Sequence, residues 1–421
     1  MFKFLHAADI HLDSPLVGLE RYEGAPVDQI RGATRQAFEK LVDLAIDEGA
    51  AFVLLAGDLY DGEWKDYNTG LFFIAQMVRL KGAGIRVFVI AGNHDAGSTI
   101  TKALQPPDNV KRFSTRKPET AVLDDLGVAI HGQGFPTRSV TEDLSARYPD
   151  PVPDLFNIGV LHTSLDGRPG HEPYAPCSVD GLRSRGYQYW ALGHVHAREV
   201  VSEDPWIVFP GNIQGRHVRE TGAKGCSLVA VDDGEVVSVE DHAVDIVRWE
   251  VCTVDVTGAA VPETALDLVG KALKQVVAEA DDRYLAVRLQ LEGACRAHER
   301  LSAAPEHWAQ AFRALATGIS GANLWVEKVC LRTRRETDLG EALKRDDALG
   351  GLLRAIRDLE ADPDRLAALA NEMSDLKLKL PPELMVGEES MDPTDPRVLR
   401  EAAEHAKDLL LSRLVSSEDE A

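Results

Sequence analysis

Five apolar, strand-like runs in this chain each end in a short cluster rich in Asp, Asn, His and Gly. "KFLHAADIHLD" leads to Asp9 and His11, and "FVLLAGDLYDG" to Asp58 and Asp61. "VFVIAGNHDAG" leads to Asn93, His94 and Asp95, "NIGVLHTS" to His162, and "YWALGHVHAR" to His194 and His196. Continuous apolar runs of this length suit strands buried on both faces. In open α/β sheets, ligands bind outside the carboxyl ends of the strands. The recurrence therefore predicts neighbouring strands whose polar ends gather on one edge. The repeated glycines permit tight turns and close backbone approach. Taken singly, each cluster reads as a turn, an Asx cap or two exposed imidazoles. Taken together and in this order, they point to one shared site.

The donor types suggest what that site holds. Asp9, Asp58, Asn93, His11, His162, His194 and His196 form a mixed oxygen and nitrogen set. Such a set suits Mn²⁺, Fe²⁺ or Zn²⁺ better than Ca²⁺ or Mg²⁺. Seven side chains exceed the needs of one ion and fit two ions sharing a carboxylate. Asp58 is the candidate bridge, as an anion with two oxygens able to reach both ions. His6, His131, His171, His217, His242, His298, His307 and His405 lack such company and read as structural.

Residues 1–245 alternate strand and helix, which implies an α/β fold with helices covering a sheet. A helix is expected over Gln29–Glu48, capped by Asp28, and another over Leu71–Leu80. From 246 to 335 the texture changes to a small α+β domain, with a helix over Pro262–Ala280, another over Arg296–Leu315 and three strands. Residues 336–421 read as helical. Asp362-Pro363 and Asp395-Pro396 mark helix starts, and Pro381 to Pro393 marks a linker. The final helix carries Leu399, Ala402, Ala406, Leu409 and Leu410 on one stripe, either packed on its own protein or docking a partner.

With 421 residues, two or three domains are expected. No stretch of about 18 or more uncharged apolar residues exists, so no membrane span is expected. Nor do the first residues resemble a secretory signal, which makes the cytoplasm the default location. The five cysteines are scattered, without C-x-x-C spacing, and read as free thiols rather than disulfides or a thiolate zinc site. A net charge of −22 argues against coating nucleic acid by charge alone. Half of that excess sits beyond residue 335, where 11 Lys and Arg meet 22 Asp and Glu.

The order D-x-H, G-D-x-x-D, G-N-H-D, lone His and G-H-x-H resembles the calcineurin-like metallophosphoesterases. The stretches "HAADIHLDSPL", "GHEPYAPCSVDGLRSRGYQYWALGHVHAREV" and "FPGNIQGRHVRETGAKGC" are similar to the SbcD-type DNA-repair exonucleases, especially the YhaO-like branch. The resemblance implies a sheet sandwich flanked by helices, followed by a capping domain. It implies one metal held by Asp9, His11, Asp58 and His196, and a second by Asp58, Asn93, His162 and His194. By the same resemblance His94 stands beside the scissile phosphate, with Asp95 as a residue that could orient it. Archaeal and eukaryotic relatives carry a second functional histidine where this chain has Asp61, so that histidine's role does not transfer.

The function so implied is a Mn²⁺-dependent DNA exo/endonuclease, paired with an SMC-like coiled-coil ATPase and able to homodimerise. A local charge inversion by two dications would let an acidic protein meet a polyanion. Arg198, Arg216, Arg219 and Lys224 are candidate backbone-tracking cations, as are Arg332, Arg334 and Arg335 more weakly. The same metal core also serves small-molecule phosphodiesterases and phosphoprotein phosphatases. A non-catalytic scaffold that recruits the ATPase is the third reading, opposed by the full ligand set.

Overall fold

A computed structural model describes residues 1–14, 27–61, 67–97, 105–167 and 173–336, together with parts of 346–403, chiefly 362–377 and 392–403. The chain divides into two compact units. The first holds residues 1–251, 276–288 and 320–327, and the second holds 252–275, 289–319 and 328–421.

The first unit begins with β1 (Phe2–Ala7), β2 (Phe52–Ala56), β3 (Arg86–Ile90) and β4 (Val110–Arg112), which are parallel neighbours in that order. The next strands are β5 (Glu119–Leu123), β6 (Val128–Gly132), β7 (Phe156–His162), β8 (Tyr189–Gly193), β9 (Glu199–Glu203) and β10 (Trp206–Phe209). They form a second six-stranded sheet in the order β5-β6-β7-β8-β10-β9. The chain then returns as β11 (Gly225–Asp232) and β12 (Glu235–Ala243), which extend the first sheet antiparallel beyond β1. The structure thus has two mixed sheets where strand and helix alternation alone implied one. The antiparallel strands are short or end in tight turns, and carry no helix between them to announce a crossover.

Side-chain alternation builds the layers. Phe4, Phe52, Leu54 and Phe88 of the first sheet share one core with Val128, Ile158, Val160, Tyr189 and Val208 of the second. The Phe4 ring stacks on Phe52 at 4.9 Å and meets Tyr189 edge-on at 5.2 Å. On the reverse face, Leu5, Ala7, Val53, Leu55 and Val87 pack against Phe38, Leu41, Phe73 and Met77. Those last residues belong to helices Val27–Asp47 and Tyr67–Gly82. The first of these begins one residue ahead of the cap expected at Asp28. Each large side chain so buried contributes roughly 1.5–3 kcal/mol relative to exposure.

His6 interrupts the apolar inner face of β1. Its Nε2 donates to the Leu192 carbonyl at 3.0 Å, and its Nδ1 accepts from the Tyr189 hydroxyl at 3.0 Å. The imidazole therefore ties the two sheets together in its neutral form, the structural role expected of it. Burial pushes its pKa down to about 3, against a smaller upward pull from the Leu192 carbonyl. An unfolded chain protonates this group near 6.5. Its contribution to stability is therefore complete above that pH and is lost as pH falls towards about 3. Between pH 6.5 and 5 the loss should approach about 2 kcal/mol. His6→Gln keeps a donor and an acceptor but cannot take up this proton. Its urea midpoint should fall less than the parent's between pH 7 and 5, and equal falls would exclude His6 as the titrating group.

Three further strands, β13 (Val247–Asp255), β14 (Tyr284–Cys295) and β15 (Leu324–Arg335), form a sheet in that order. Helix Pro262–Ala278 follows β13, with Ala265, Val269 and Leu273 buried. The single helix expected over Arg296–Leu315 is instead two, His298–Ala303 and Pro305–Ser320. Pro305 lacks the N–H that would continue the first and serves as the first residue of the second. Asp362 caps Pro363–Glu372 by accepting from the Arg365 amide at 3.3 Å. Residues 396–403 are helical and Leu399 is buried. The expected linker at 381–391 and the distal stripe of Ala406, Leu409 and Leu410 lie outside the described residues. Of the five free cysteines, four are buried and Cys330 is half-buried. Among the described residues, no helix is long and apolar enough to cross a membrane.

Candidate metal centre

The loops leaving β1 and β2 run side by side. The Asp9 amide donates to the Gly57 carbonyl at 3.1 Å, and the His11 amide to the Asp58 carbonyl at 3.0 Å. Asp9, His11, Asp58 and His194 all have positive φ, at 51°, 46°, 54° and 101°. Left-handed backbone at non-glycine residues is costly and clusters where a structure over-determines geometry. Here it turns four donor-bearing residues at the strand ends. The glycines make room. A Cβ on Gly92 would lie 2.2 Å from Asp58 Oδ1, and one on Gly57 would lie 2.5 Å from His162 Nδ1.

The side chains converge in two groups. Asp9, His11 and His196 bring one potential ligand atom each to within 4.8 Å of one another, and so do Asp9, Asp58 and His162. His196 Nε2 lies 3.4 Å from His11 Nε2 and 3.8 Å from Asp9 Oδ1. His162 Nε2 lies 2.9 Å from Asn93 Oδ1 and 3.4 Å from Asp58 Oδ2. Asp58 Oδ2 is also 4.0 Å from His11 Nε2, so this one oxygen faces both groups. Its other oxygen accepts the His94 amide at 2.9 Å, which differs from the expectation that both oxygens would be turned to ions. His194 enters through its backbone N–H, which reaches the Asp9 carboxylate at 3.0 Å, and its ring lies 5.2 Å from that of His162.

Two imidazoles are aimed by partners behind them. His162 Nδ1 donates to the Ala56 carbonyl at 2.9 Å, and His196 Nδ1 donates to Glu220 Oε1 at 2.7 Å. Each therefore turns Nε2 inward, the arrangement that orients metal-binding histidines. His11 Nδ1 is buried without a hydrogen-bond partner among the described residues. Imidazole nitrogens and carboxylates gathered at one place, with protons that cations can displace, are what metal binding requires. The electrostatics agree. Burial works against charge on His162, yet Asp58 and Asp9 raise its pKa to about 9. Burial works to raise the Asp58 carboxyl, yet His162, His11 and His94 hold it well below the ordinary range. The residues present fit divalent cations.

Other expected residues are placed differently. Asp95 does not orient His94. Its carboxylate accepts the backbone amides of Leu59, Tyr60 and Gly92 at 3.1, 2.9 and 3.0 Å, and so clamps the two loops together. Burial and the nearby Asp58 push its pKa up to about 6. The partner of His94 is Asp61, whose Oδ1 lies 2.6 Å from His94 Nδ1. Ser14 in turn donates to Asp61 at 2.6 Å. The D-x-x-D spacing contained this contact, but only the curled loop shows that it reaches His94.

Of the candidate cations, Arg216 is the one brought to the centre, 3.6 Å from Asp61, 3.3 Å from Glu220 and 3.4 Å from His196 Nδ1. Arg198 is exposed and paired with Asp241 at 3.2 Å, and Arg219 is exposed. Lys224 is buried and donates to the His196 carbonyl at 3.1 Å, which rules out a surface role. Arg332 and Arg335 pair with Glu292 and Glu299.

Glu220 escaped the sequence reading because a lone Glu after "GRHVR" carries no spacing signal. It also accepts from the Asn212 side chain at 3.0 Å and the Arg216 amide at 2.8 Å. Burial would raise its pKa, but His196 and Arg216 hold it ionised far below the usual range. Glu220→Gln should weaken metal binding at the His196 end by about 10–100-fold, as read by titrating stripped protein with Mn²⁺. An unchanged titration would assign Glu220 to packing alone.

Residues 2–198 match the calcineurin-like phosphoesterase family, and residues 249–334 match the middle domain of metallophosphoesterase YhaO. The uncharacterised metallophosphoesterase YhaO of Bacillus subtilis is 38% identical over 294 residues, covering 69% of this chain and 71% of its own. The DNA double-strand break repair protein Mre11 of Methanopyrus kandleri is 28% identical over 287 residues, covering 61% and 60%. That of Sulfurisphaera tokodaii is 28% identical over 272 residues, covering 60% and 65%. A solved dimetal phosphatase from Danio rerio aligns over 55% of this chain and 93% of its own, at 12% identity and a TM-score of 0.33. The chain belongs to the calcineurin-like metallophosphoesterases, with the middle domain of YhaO, and is a metal-dependent phosphoester hydrolase.

Proposed function

We propose that this hydrolase is a nuclease that cleaves phosphodiester bonds in DNA during repair, using two divalent cations, Mn²⁺ in the first instance. The observation that carries the reading is the convergence of Asp9, His11, Asp58, Asn93, His162 and His196, with the His194 ring 5.2 Å from that of His162, beside a half-buried His94. DNA as the substrate is supported by the relatives that bear the name of DNA double-strand break repair proteins. One cation would be held by Asp9, His11, Asp58 and His196, and the other by Asp58, Asn93, His162 and His194. When bound, the pair supplies Lewis acidity for in-line displacement at phosphorus. The chain's own groups do the remaining work. Glu220 and the Ala56 carbonyl orient imidazoles, and Asp95 holds the loops in register. His94, held by Asp61, carries a proton at Nε2 that it can deliver to the leaving oxygen.

The partners belong to the same proposal. An SMC-like coiled-coil ATPase would dock on the C-terminal helices. A second copy of the chain would use the helix Tyr67–Gly82, which leaves Leu71 and Val78 more than half exposed.

The test is hydrolysis of end-labelled duplex and single-stranded DNA with Mn²⁺, Mg²⁺ or EDTA, run beside a cyclic nucleotide and a phosphopeptide. Mn²⁺-dependent cleavage of DNA abolished by EDTA is expected. Turnover of the cyclic nucleotide or phosphopeptide with DNA left intact would replace the nuclease reading with a phosphodiesterase or phosphatase. Full metal content without any turnover would favour the scaffold.

A further inference from the structure

A sixth polar cluster follows a strand, and the metal centre does not use it. β6 ends at Gly132 and continues as Gln133-Gly134-Phe135-Pro136. Because β6 runs parallel to β7, this segment leaves the sheet on the same edge as His162. The Phe135 amide donates to the Ala91 carbonyl at 2.8 Å, and the Phe135 ring meets the His162 ring edge-on at 5.4 Å. The chain at 133–135 therefore touches the loop that carries Asn93 and His94.

A cavity of about 370 Å³ opens over this segment, lined among others by Gln133, Thr115, Arg116, Thr141, Glu142 and Arg147. Gln133 is 2% exposed. Its Nε2 donates to the Thr115 carbonyl at 3.4 Å, which fixes the amide orientation and leaves Oε1 as the acceptor. Oε1 is buried and has no hydrogen-bond partner among the described residues. A buried acceptor without a donor costs free energy that a ligand N–H can recover. The charges are also unlike the rest of an acidic chain. Two guanidiniums line the cavity against one carboxylate, and Glu142 is paired with Arg147. Arg116 is exposed, its guanidinium without a partner among the described residues.

A ligand matched to this lining offers an N–H donor to the Gln133 amide oxygen and an anion to the Arg116 guanidinium. A nucleotide does both, through its base edge and its phosphate. We propose that this cavity is a nucleotide subsite, which seats one nucleotide of the substrate strand beside the metal centre and so fixes which phosphodiester reaches His94. The proposal rests on the nuclease reading. A free nucleotide would satisfy the same contacts, so the test separates the two sources.

The experiment uses the full chain with Mn²⁺ and three probes: an end-labelled single-stranded oligonucleotide, deoxyadenosine monophosphate as a competitor, and bis(4-nitrophenyl) phosphate, which is too small to span both sites. Gln133→Met and Arg116→Ala are compared with the parent. Each should raise KM for the oligonucleotide about fivefold, with kcat within about twofold, as expected for one lost hydrogen bond or phosphate contact. Turnover of bis(4-nitrophenyl) phosphate should stay unchanged. Arg116→Ala lies at an exposed position and keeps the test valid if Gln133→Met fails to fold. Unchanged KM in folded variants of a parent that cleaves DNA would overturn the subsite alone. A parent that turns over only bis(4-nitrophenyl) phosphate would overturn the nuclease reading and the subsite with it. Competition by the monophosphate that both variants weaken, without any change in oligonucleotide KM, would make the cavity a free-nucleotide site and also refute the proposal.

Discussion

Asp58→Asn should leave a folded protein that has lost bound metal and on the order of 10³-fold or more in turnover, because several kcal/mol of Lewis-acid stabilisation go with the ions. The shape of the side chain survives this change. Asn retains the oxygen that accepts the His94 amide, now held at 2.9 Å by Asp58 Oδ1. What changes is the atom facing the imidazoles. Asp58 Oδ2 lies 3.4 Å from His162 Nε2 and 4.0 Å from His11 Nε2. An amide nitrogen there places hydrogens where cations would bind and removes one of the two carboxylate charges, with Asp9, that face both groups. The His162 pKa, held at about 9 chiefly by Asp58 against burial, should drop as well. Elemental analysis of dialysed protein beside the parent measures the loss directly. Two equivalents of metal retained with normal turnover would reject Asp58 as the bridge.

That prediction could be framed from the sequence, and the reason is physical. Parallel strands project their polar ends to one edge, so apolar runs ending in D-x-H, G-D, G-N-H-D, His and G-H-x-H announce a shared site before any coordinates. The first sheet's core was equally legible, since the runs at Phe52–Ala56 and Arg86–Ile90 are buried almost throughout. What stayed hidden depends on loop trajectories. Asp95 follows His94 directly, yet its side chain turns to three backbone amides, while Asp61, more than thirty residues earlier, reaches His94. Adjacency in sequence carries no information about side-chain direction in a tight turn. Glu220 and Gln133 were invisible for a related reason. Each acts by supplying one buried oxygen at a defined place, and a single oxygen has no sequence period. The antiparallel strands β9 to β12 were missed because alternation with helices was the signal sought.

His94→Ala should keep both metals and lose about 10²–10⁴-fold in kcat, the range for a positioned proton donor. Metal retention follows from the geometry. The tie between His94 and Asp58 is the main-chain amide, which alanine still provides. The loss falls on the chemical step because the imidazole is anchored at Nδ1 by Asp61 and leaves Nε2 for substrate. The Asp61 carboxylate, accepting at His94 Nδ1, raises the His94 pKa, with burial opposing it and Asp58 adding to the rise. The sign of the pH effect follows. An imidazolium that must give up its proton is competent below its folded pKa, so kcat should decline as pH rises through that raised value. Asp61→Asn removes the main cause of the rise, and the declining limb should move to lower pH. In His94→Ala the limb should vanish. A substrate whose leaving group needs no proton separates this role from simple charge stabilisation. With bis(4-nitrophenyl) phosphate the His94→Ala deficit should shrink markedly, because nitrophenolate departs unaided. A deficit equally large for that ester and for DNA, with metal intact, would mean that His94 stabilises charge on the phosphate rather than protonating the departing oxygen.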